Sequence, residues 1–146
     1  MHRFKNILLL HDTRPEHKLI LKRAVDLARR NHARLTVVDV IEEDSWDSGE
    51  IYGSQPFRDL KQFVIKERQE ELETAIEPVR QQGLDVRAKL LFGKPFLEII
   101  HEVLRKNHDL VIKAAQGEGG LQGMLFGSTA MHLMRKCPCP VWVVKK

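Results

Sequence analysis

Five short apolar runs punctuate the chain, and longer stretches with helical spacing separate them. The first lies in Phe4 to His11, where Ile7-Leu8-Leu9-Leu10 forms an unbroken apolar run. A strand buried on both faces requires that pattern. Thr13 with Glu16 three residues later predicts a capping box, with Pro15 fitting a first helical turn. Leu21, Ala24, Val25 and Ala28 then recur at helical spacing. The valine-rich run Leu35 to Ile41 reads as a second strand. These pieces form a β-α-β unit, with parallel strands and a right-handed crossover.

Glu42 to Gln55 is polar, carries Gly49 and Gly53, and reads as a long loop. Loops of that length in a compact domain are usually functional or mobile. Phe57 to Gln82 predicts a long helix with Leu60, Phe63, Val64, Leu72, Ala75, Ile76 and Val79 on its apolar face. Pro78 should kink it or open its last turn, and Gly83 should stop it. Leu84 to Phe92 alternates, with Val86, Ala88 and Leu90 set against Asp85, Arg87 and Lys89. Alternation marks a strand with one wet face, and hence a sheet edge.

Gly93-Lys94-Pro95 opens a further helix, with Phe96, Ile99, Ile100, Val103 and Leu104 on one face. Asp109 to Ala114 is a fourth strand, a glycine-rich loop follows, a helix runs from about Ser128 to Lys136, and Val141 to Val144 closes the chain as a fifth strand. The order β-α-β-α-β-α-β-α-β predicts an α/β fold: a doubly wound five-stranded parallel sheet, order 3-2-1-4-5, helices on both faces. Residues 1–146 read as one domain, with neither linker nor internal repeat. In such a sheet ligands bind at the strand carboxyl ends, where the chain reverses its winding direction. His11-Asp12-Thr13 and the loop after Lys113 should converge there.

Composition narrows the function classes. The chain is 42% hydrophobic and 30% charged, as a soluble globular protein is. Its apolar runs are far too short to span a bilayer, and no apolar signal region follows the basic start. No membrane role and a cytoplasmic location are therefore expected. The formal net charge is +4, but acids interleave with the bases and one Tyr and two Trp leave little for base stacking, so no nucleic-acid role is expected. Cys137 and Cys139 are separated by one proline, a poor geometry for a bridge and half of a four-thiolate metal site, which favours a structural role. His11, His17, His101 and His108 offer no converging ligand spacing and read as surface or capping residues, and no metal site is expected.

The glycine-rich loop carries the chemistry. Gly117, Gly119, Gly120, Gly123 and Gly127 precede a helix opened by Ser128 and Thr129. A helix start offers free N–H groups and a partial positive charge to a phosphate, and glycines let the backbone approach it. The same residues also read as a flexible loop with a helix cap, and no Gly-Lys-Ser or Gly-Lys-Thr phosphate motif occurs. Asp12, His132 and Ser128 could be imagined as a triad, but the Gly-x-Ser-x-Gly elbow of hydrolases is absent.

Taken together, Leu10-His11-Asp12, Gly93-Lys94-Pro95, Asp109-Leu110-Val111-Ile112, Leu125-Phe126-Gly127-Ser128-Thr129 and Cys137-Pro138-Cys139-Pro140-Val141-Trp142-Val143-Val144 resemble the universal stress protein family over essentially the whole length. The resemblance implies its adenine nucleotide alpha hydrolase-like fold and a stress-response regulatory role. ATP-binding members carry Gly, two residues, Gly, nine residues, Gly, then Ser or Thr. Here Ala114 replaces the first glycine, while Gly117, Gly127 and Ser128 match. The resemblance places Asp12 and Val40 beside the nucleoside and Gly117, Gly127, Ser128 and Thr129 on the phosphate side. It implies ATP as cofactor, with Mg²⁺, at most slow ATP hydrolysis, and a homodimer through the last strand at Val141, Val143 and Val144.

Lys113 stands where the family usually has an apolar residue, and this, with the ending His132 to Lys146, resembles the domains of tandem E-type members. Lys113 could reach a phosphate, pair with Asp12 and fill the site, or lie along apolar surface with its charge in water. Lys113, Ala114 and Glu118 support the alternative: a member without nucleotide, acting through dimerisation and protein partners or on an apolar ligand.

Overall fold

The computed structural model describes residues 3–11, 17–42, 55–115 and 127–145. Along the chain run β1 (Asn6–Leu10), α1 (His17–Asn31), β2 (Arg34–Ile41), α2 (Gln55–Gln81), β3 (Val86–Phe92), α3 (Pro95–Lys106), β4 (Leu110–Ala114), α4 (Gly127–Lys136) and β5 (Val141–Val144). Every strand pairing is parallel and the sheet order is β3-β2-β1-β4-β5. The expected topology and the edge position of β3 are therefore both present.

The side-chain period of two assigns each strand residue to a face. Ile7, Leu9, Leu35, Val37, Ile112, Ala114 and Val144 pack with Ile20 and Ala24 of α1 and with Leu72 and Ile76 of α2. Leu8, Val38, Val40 and Val111 pack on the other face with Ile99 and Val103 of α3 and Leu133 of α4. The amino ends of β1 and β4 are tied by Asp109, whose carboxylate accepts from the N–H groups of Lys5 (2.7 Å) and Asn6 (3.0 Å).

Several helical expectations need correction. α2 begins at Gln55, two residues before the predicted Phe57, and ends at Gln81, with Pro78 opening its last turn as expected. Leu60 and Phe63 belong to solvent, not to its apolar face: they are 55% and 63% exposed. The cause is length. A helix of 27 residues runs about 40 Å, well beyond a strand of seven or eight residues at about 3.3 Å each. Phe57 in the first turn is buried, but the turns after it leave Leu60 and Phe63 in water, and the sheet core is met at Leu72 and Ile76. Gly83 stops the helix as expected, with φ at +91°.

In α3, Leu104 is exposed and Glu102 is buried instead. The Glu102 carboxylate accepts from Lys89 Nζ at 2.7 Å and from Arg105 Nη2 at 3.0 Å, which satisfies both of its oxygens. Lys89, assigned to the wet face of β3, is thus partly drawn over the helix. His108 lies nearby, buried, and burial lowers its pKa although Glu102 and Asp109 pull the other way. The Thr13–Glu16 capping box and nearly all of the Glu42–Gln55 loop lie outside the described residues.

Candidate functional site

The winding reverses between β1 and β4. These strands are adjacent, and each is continued by one further ladder bond: His11 N–H to Val38 O at 2.7 Å, and Ala115 N–H to Val144 O at 2.8 Å. α1 follows β1 on one face, while α4 follows β4 on the other. The β1–β4 junction is therefore the topological switch point, the place where sheets of this kind bind ligands.

On the α3/α4 face, Val40 lies near the carboxyl end of β2 and is buried among Leu8, Val38 and Leu91. Lys113 shares this face by alternation with Val111 and is half-buried. Its Nζ donates to the Ala114 carbonyl at 3.1 Å, so the ammonium stays at the end of its own strand. Ala114 is on the opposite face. Its methyl is packed with residues of α1 and with Val144, and it is 2% exposed. Positive φ occurs among described non-glycine residues only at His32 and Asn107. Ala114 is thus an ordinary strand residue whose methyl faces away from Val40 and Lys113.

Gly127 opens α4 with φ at +71°, a conformation glycine adopts without the steric cost other residues meet. Ser128 is exposed and Thr129 half-buried in the first turn. His132 Nδ1 lies 2.7 Å from the Ser128 carbonyl. A carbonyl only accepts, so that nitrogen carries the proton, and the ring stacks on Phe96 at a centroid distance of 4.4 Å. His132 is therefore engaged with the backbone of Ser128, not with its hydroxyl. Asp12, Gly117 and Glu118 lie outside the described residues, as does the Asp12–Lys113 pairing. Among the predicted site residues, the fold brings Val40 and Lys113 to one face at the strand ends.

Three polar side chains near these strand ends were missed in the sequence. Asp39 is buried, facing α2, and its carboxylate accepts from Arg68 Nε at 2.6 Å and Nη2 at 2.7 Å. The hydrogen bond to Asp39 raises the Arg68 pKa against the opposing effect of burial. An aspartate inside a valine-rich strand was the available signal. His11 and His17, read as surface or capping residues, are instead buried together: His11 Nδ1 is 2.9 Å from His17 Nε2, and the rings meet edge to face. Their phases announce this. His11 continues the Ile7–Leu9 period of β1, and His17 precedes Ile20 and Ala24 at helical spacing. His11 Nε2 is 4.0 Å from Glu71 Oε1 of α2. Among the described residues no group of three or more His, Cys, Asp or Glu is placed to hold a metal ion.

The family profile described as the universal stress protein family matches residues 3–145. Universal stress protein E of Escherichia coli K12 is 30% identical over 143 residues, which cover 97% of this chain and 45% of that protein. The chain thus spans about half the length of that relative. Among solved structures, the universal stress protein UspA from Lactobacillus plantarum superposes with a TM-score of 0.77 at 21% identity, covering 99% of both chains. The universal stress protein from Archaeoglobus fulgidus in complex with dAMP gives 0.67 at 18% identity, covering 99% of this chain and all of that one.

The Asp39–Arg68 pair fixes α2 against β2 one residue before Val40. Arg68→Met would leave the buried carboxylate without its cation. It should lower the urea-unfolding free energy by roughly 2–4 kcal/mol, a little below the cost at a fully buried pair because Arg68 is partly in water. The double variant Asp39→Asn/Arg68→Met should recover part of that loss. A single-variant cost under about 0.5 kcal/mol, as at an ordinary surface position, would show that the pair does not hold the helix.

Proposed function

This chain belongs to the universal stress protein family, and from that premise we propose that it is a stress-response regulatory module binding an adenine nucleotide, ATP, between the carboxyl ends of β1 and β4. The placement of Ala114 carries this reading. The one departure from the family's glycine pattern packs its methyl into the α1 side of the core. The methyl itself does not project toward Val40 and Lys113. The dAMP complex of the Archaeoglobus fulgidus relative supports an adenine nucleotide as the ligand class.

In this proposal Asp12 and Val40 take the nucleoside side, Val40 offering an apolar surface to the base. Gly117, Gly127, Ser128 and Thr129 take the phosphates, through backbone N–H groups and the two hydroxyls at the start of α4. Ala114 supplies backbone only. Lys113 turns from the Ala114 carbonyl to the phosphates as a compact point charge. Mg²⁺ would offset phosphate charge. The described residues show no base held against a nucleophile, so at most slow ATP hydrolysis is assigned.

A second reading rests on Lys113 itself. Its Nζ already holds the Ala114 carbonyl, and an ammonium that stays there occupies the site mouth. The protein then acts without nucleotide, through dimerisation and protein partners or on an apolar ligand. Calorimetry with ATP, with and without Mg²⁺, separates the two. The nucleotide reading predicts micromolar affinity, about −8 kcal/mol, and roughly tenfold weaker binding to Lys113→Met. Binding only to Lys113→Met would make the lysine a plug, and no binding to either would remove the nucleotide reading.

We also propose a cytoplasmic homodimer through β5. Among the described residues no helix is long and apolar enough to cross a membrane. β5 pairs with β4 on one side and closes the described sheet order on the other. Val141 and Val143 are half-buried, while the Val144 side chain is buried in its own core, so Val144 offers backbone only. An apolar edge of this kind invites a second strand. Sedimentation should give a dimer at micromolar concentration and a monomer for Val143→Lys; a wild-type monomer would remove the edge pairing.

A further inference from the structure

Cys137 and Cys139 take no part in the site above, and the sheet does not need their chemistry. They flank Pro138 in the turn between α4 and β5. Both ends of that turn are pinned: Cys137 N–H donates to Leu133 O at 2.9 Å, and Pro140 O accepts from Val111 N–H at 3.0 Å. Pro138 fixes its own φ near −65°, so the two side chains are held in one relation. Both thiols are free, and their sulfurs are 3.6 Å apart, at hydrogen-bond distance.

Each residue rests against the apolar cluster of Leu8, Val111 and Leu133 and stays partly open to water. An inert packing cysteine behaves as a small hydrophobe, with its thiol turned into the core. Here each thiol has the other as its partner. A structural zinc site requires four ligands, and the described residues supply no third His, Cys, Asp or Glu to this pair.

We propose that Cys137 and Cys139 form a thiol–disulfide exchange site whose substrate is a low-molecular-weight disulfide. The Cys137 thiolate attacks one sulfur of R–S–S–R. The R–S–S–R bond breaks, a mixed disulfide Cys137–S–S–R forms, and R–S⁻ leaves and takes a proton from water. Cys139 then loses its proton to solvent and attacks the Cys137 sulfur. The Cys137–S–S–R bond breaks, the second R–S⁻ leaves and is protonated, and a Cys137–Cys139 disulfide remains. Two protein thiols are oxidised and one small disulfide is reduced to two thiols. Closing the pair brings the sulfurs to about 2.05 Å, a movement the paired thiols begin toward. Bridging across a single residue is strained, so this bond is readily reduced again by the reverse exchange and serves as a reversible mark.

The order of attack follows from the electrostatics. The hydrogen bond from Cys139 pulls the Cys137 pKa down to about 6 against the opposing effect of burial, and the Cys139 N–H helps. The same pairing pushes the Cys139 pKa up, with burial, the Cys137 charge and Asp109 adding to it. The sulfur–sulfur hydrogen bond thus favours Cys137 as the attacking thiolate. A thiol with a pKa near ambient pH is the most effective attacking group.

The test uses the intact chain and dithionitrobenzoate, a chromogenic aromatic disulfide, at pH 6.5. The wild type should release two aromatic thiolates per chain and retain no adduct, with mass spectrometry showing loss of two hydrogens and a peptide linking Cys137 to Cys139. Cys139→Ala should release one thiolate, keep the adduct on Cys137, and react roughly tenfold more slowly once the supporting hydrogen bond is gone. Cys137→Ala should react more slowly still. Thermal melts like the wild type's establish that both variants fold. A wild-type rate no faster than either variant's, or stable adducts on both cysteines without the internal disulfide, would overturn the proposal.

Discussion

Burial of both faces of β1 and β4 is the constraint from which the rest follows. Ile7, Leu8, Leu9, Val111 and Ile112 are each 0% exposed. A strand without a wet face must have helices on both sides. Right-handed crossovers from such a centre run outward on one face through α1 and α2, then return across the sheet and run outward on the other through α3 and α4. The two central strands are consequently neighbours whose following helices pack on opposite faces, so the switch point is a product of core packing. The polar anchors sit around this frame: Asp39 with Arg68 on one face, Glu102 with Lys89 and Arg105 on the other, and Asp109 at the amino ends. Each secures a helix or a strand start while satisfying a carboxylate that burial would otherwise penalise.

Charge at the carboxyl end of β4 comes from a residue placed there without opening the core. Lys113 is a charged residue in a strand whose other members are apolar, and it bonds to the next residue's carbonyl. The methyl of Ala114 strengthens the core on the α1 side. In the proposed site, binding and stability would therefore draw on opposite faces of the same strand, and a substitution at either of these positions can be read for one without confusing the other.

The sheet was legible because strands buried on both faces write their identity as unbroken apolar runs, and β3 wrote its edge position as alternation. The misplaced residues have specific causes. Leu60 and Phe63 keep perfect helical phase, but phase says nothing about where a long helix outruns its sheet. Glu102 and Leu104 exchange roles because a charged residue with two cations in reach can be buried, and those cations come from another strand and another turn. His11 and His17 were legible in phase and were lost to the general preference of histidine for partly wet positions. Ala114 could be placed only in three dimensions: whether a methyl replaces glycine harmlessly depends on which face it occupies, and alternation assigns the face once β4 is known to pair between β1 and β5. Gly117 and Asp12 remain matters of sequence resemblance.

The central claim is the location of nucleotide binding, and a residue-resolved titration tests it most directly. Backbone amide resonances of the isotope-labelled protein would be followed while AMP and then ATP are added. The account predicts saturable shifts confined to the carboxyl side of the sheet, at Val40, Lys113, Ala115, Ser128 and Thr129, with Asn6, Arg34, Val86 and Leu110 at the amino ends unmoved. Saturable shifts centred on the amino ends, or none up to millimolar nucleotide, would contradict it.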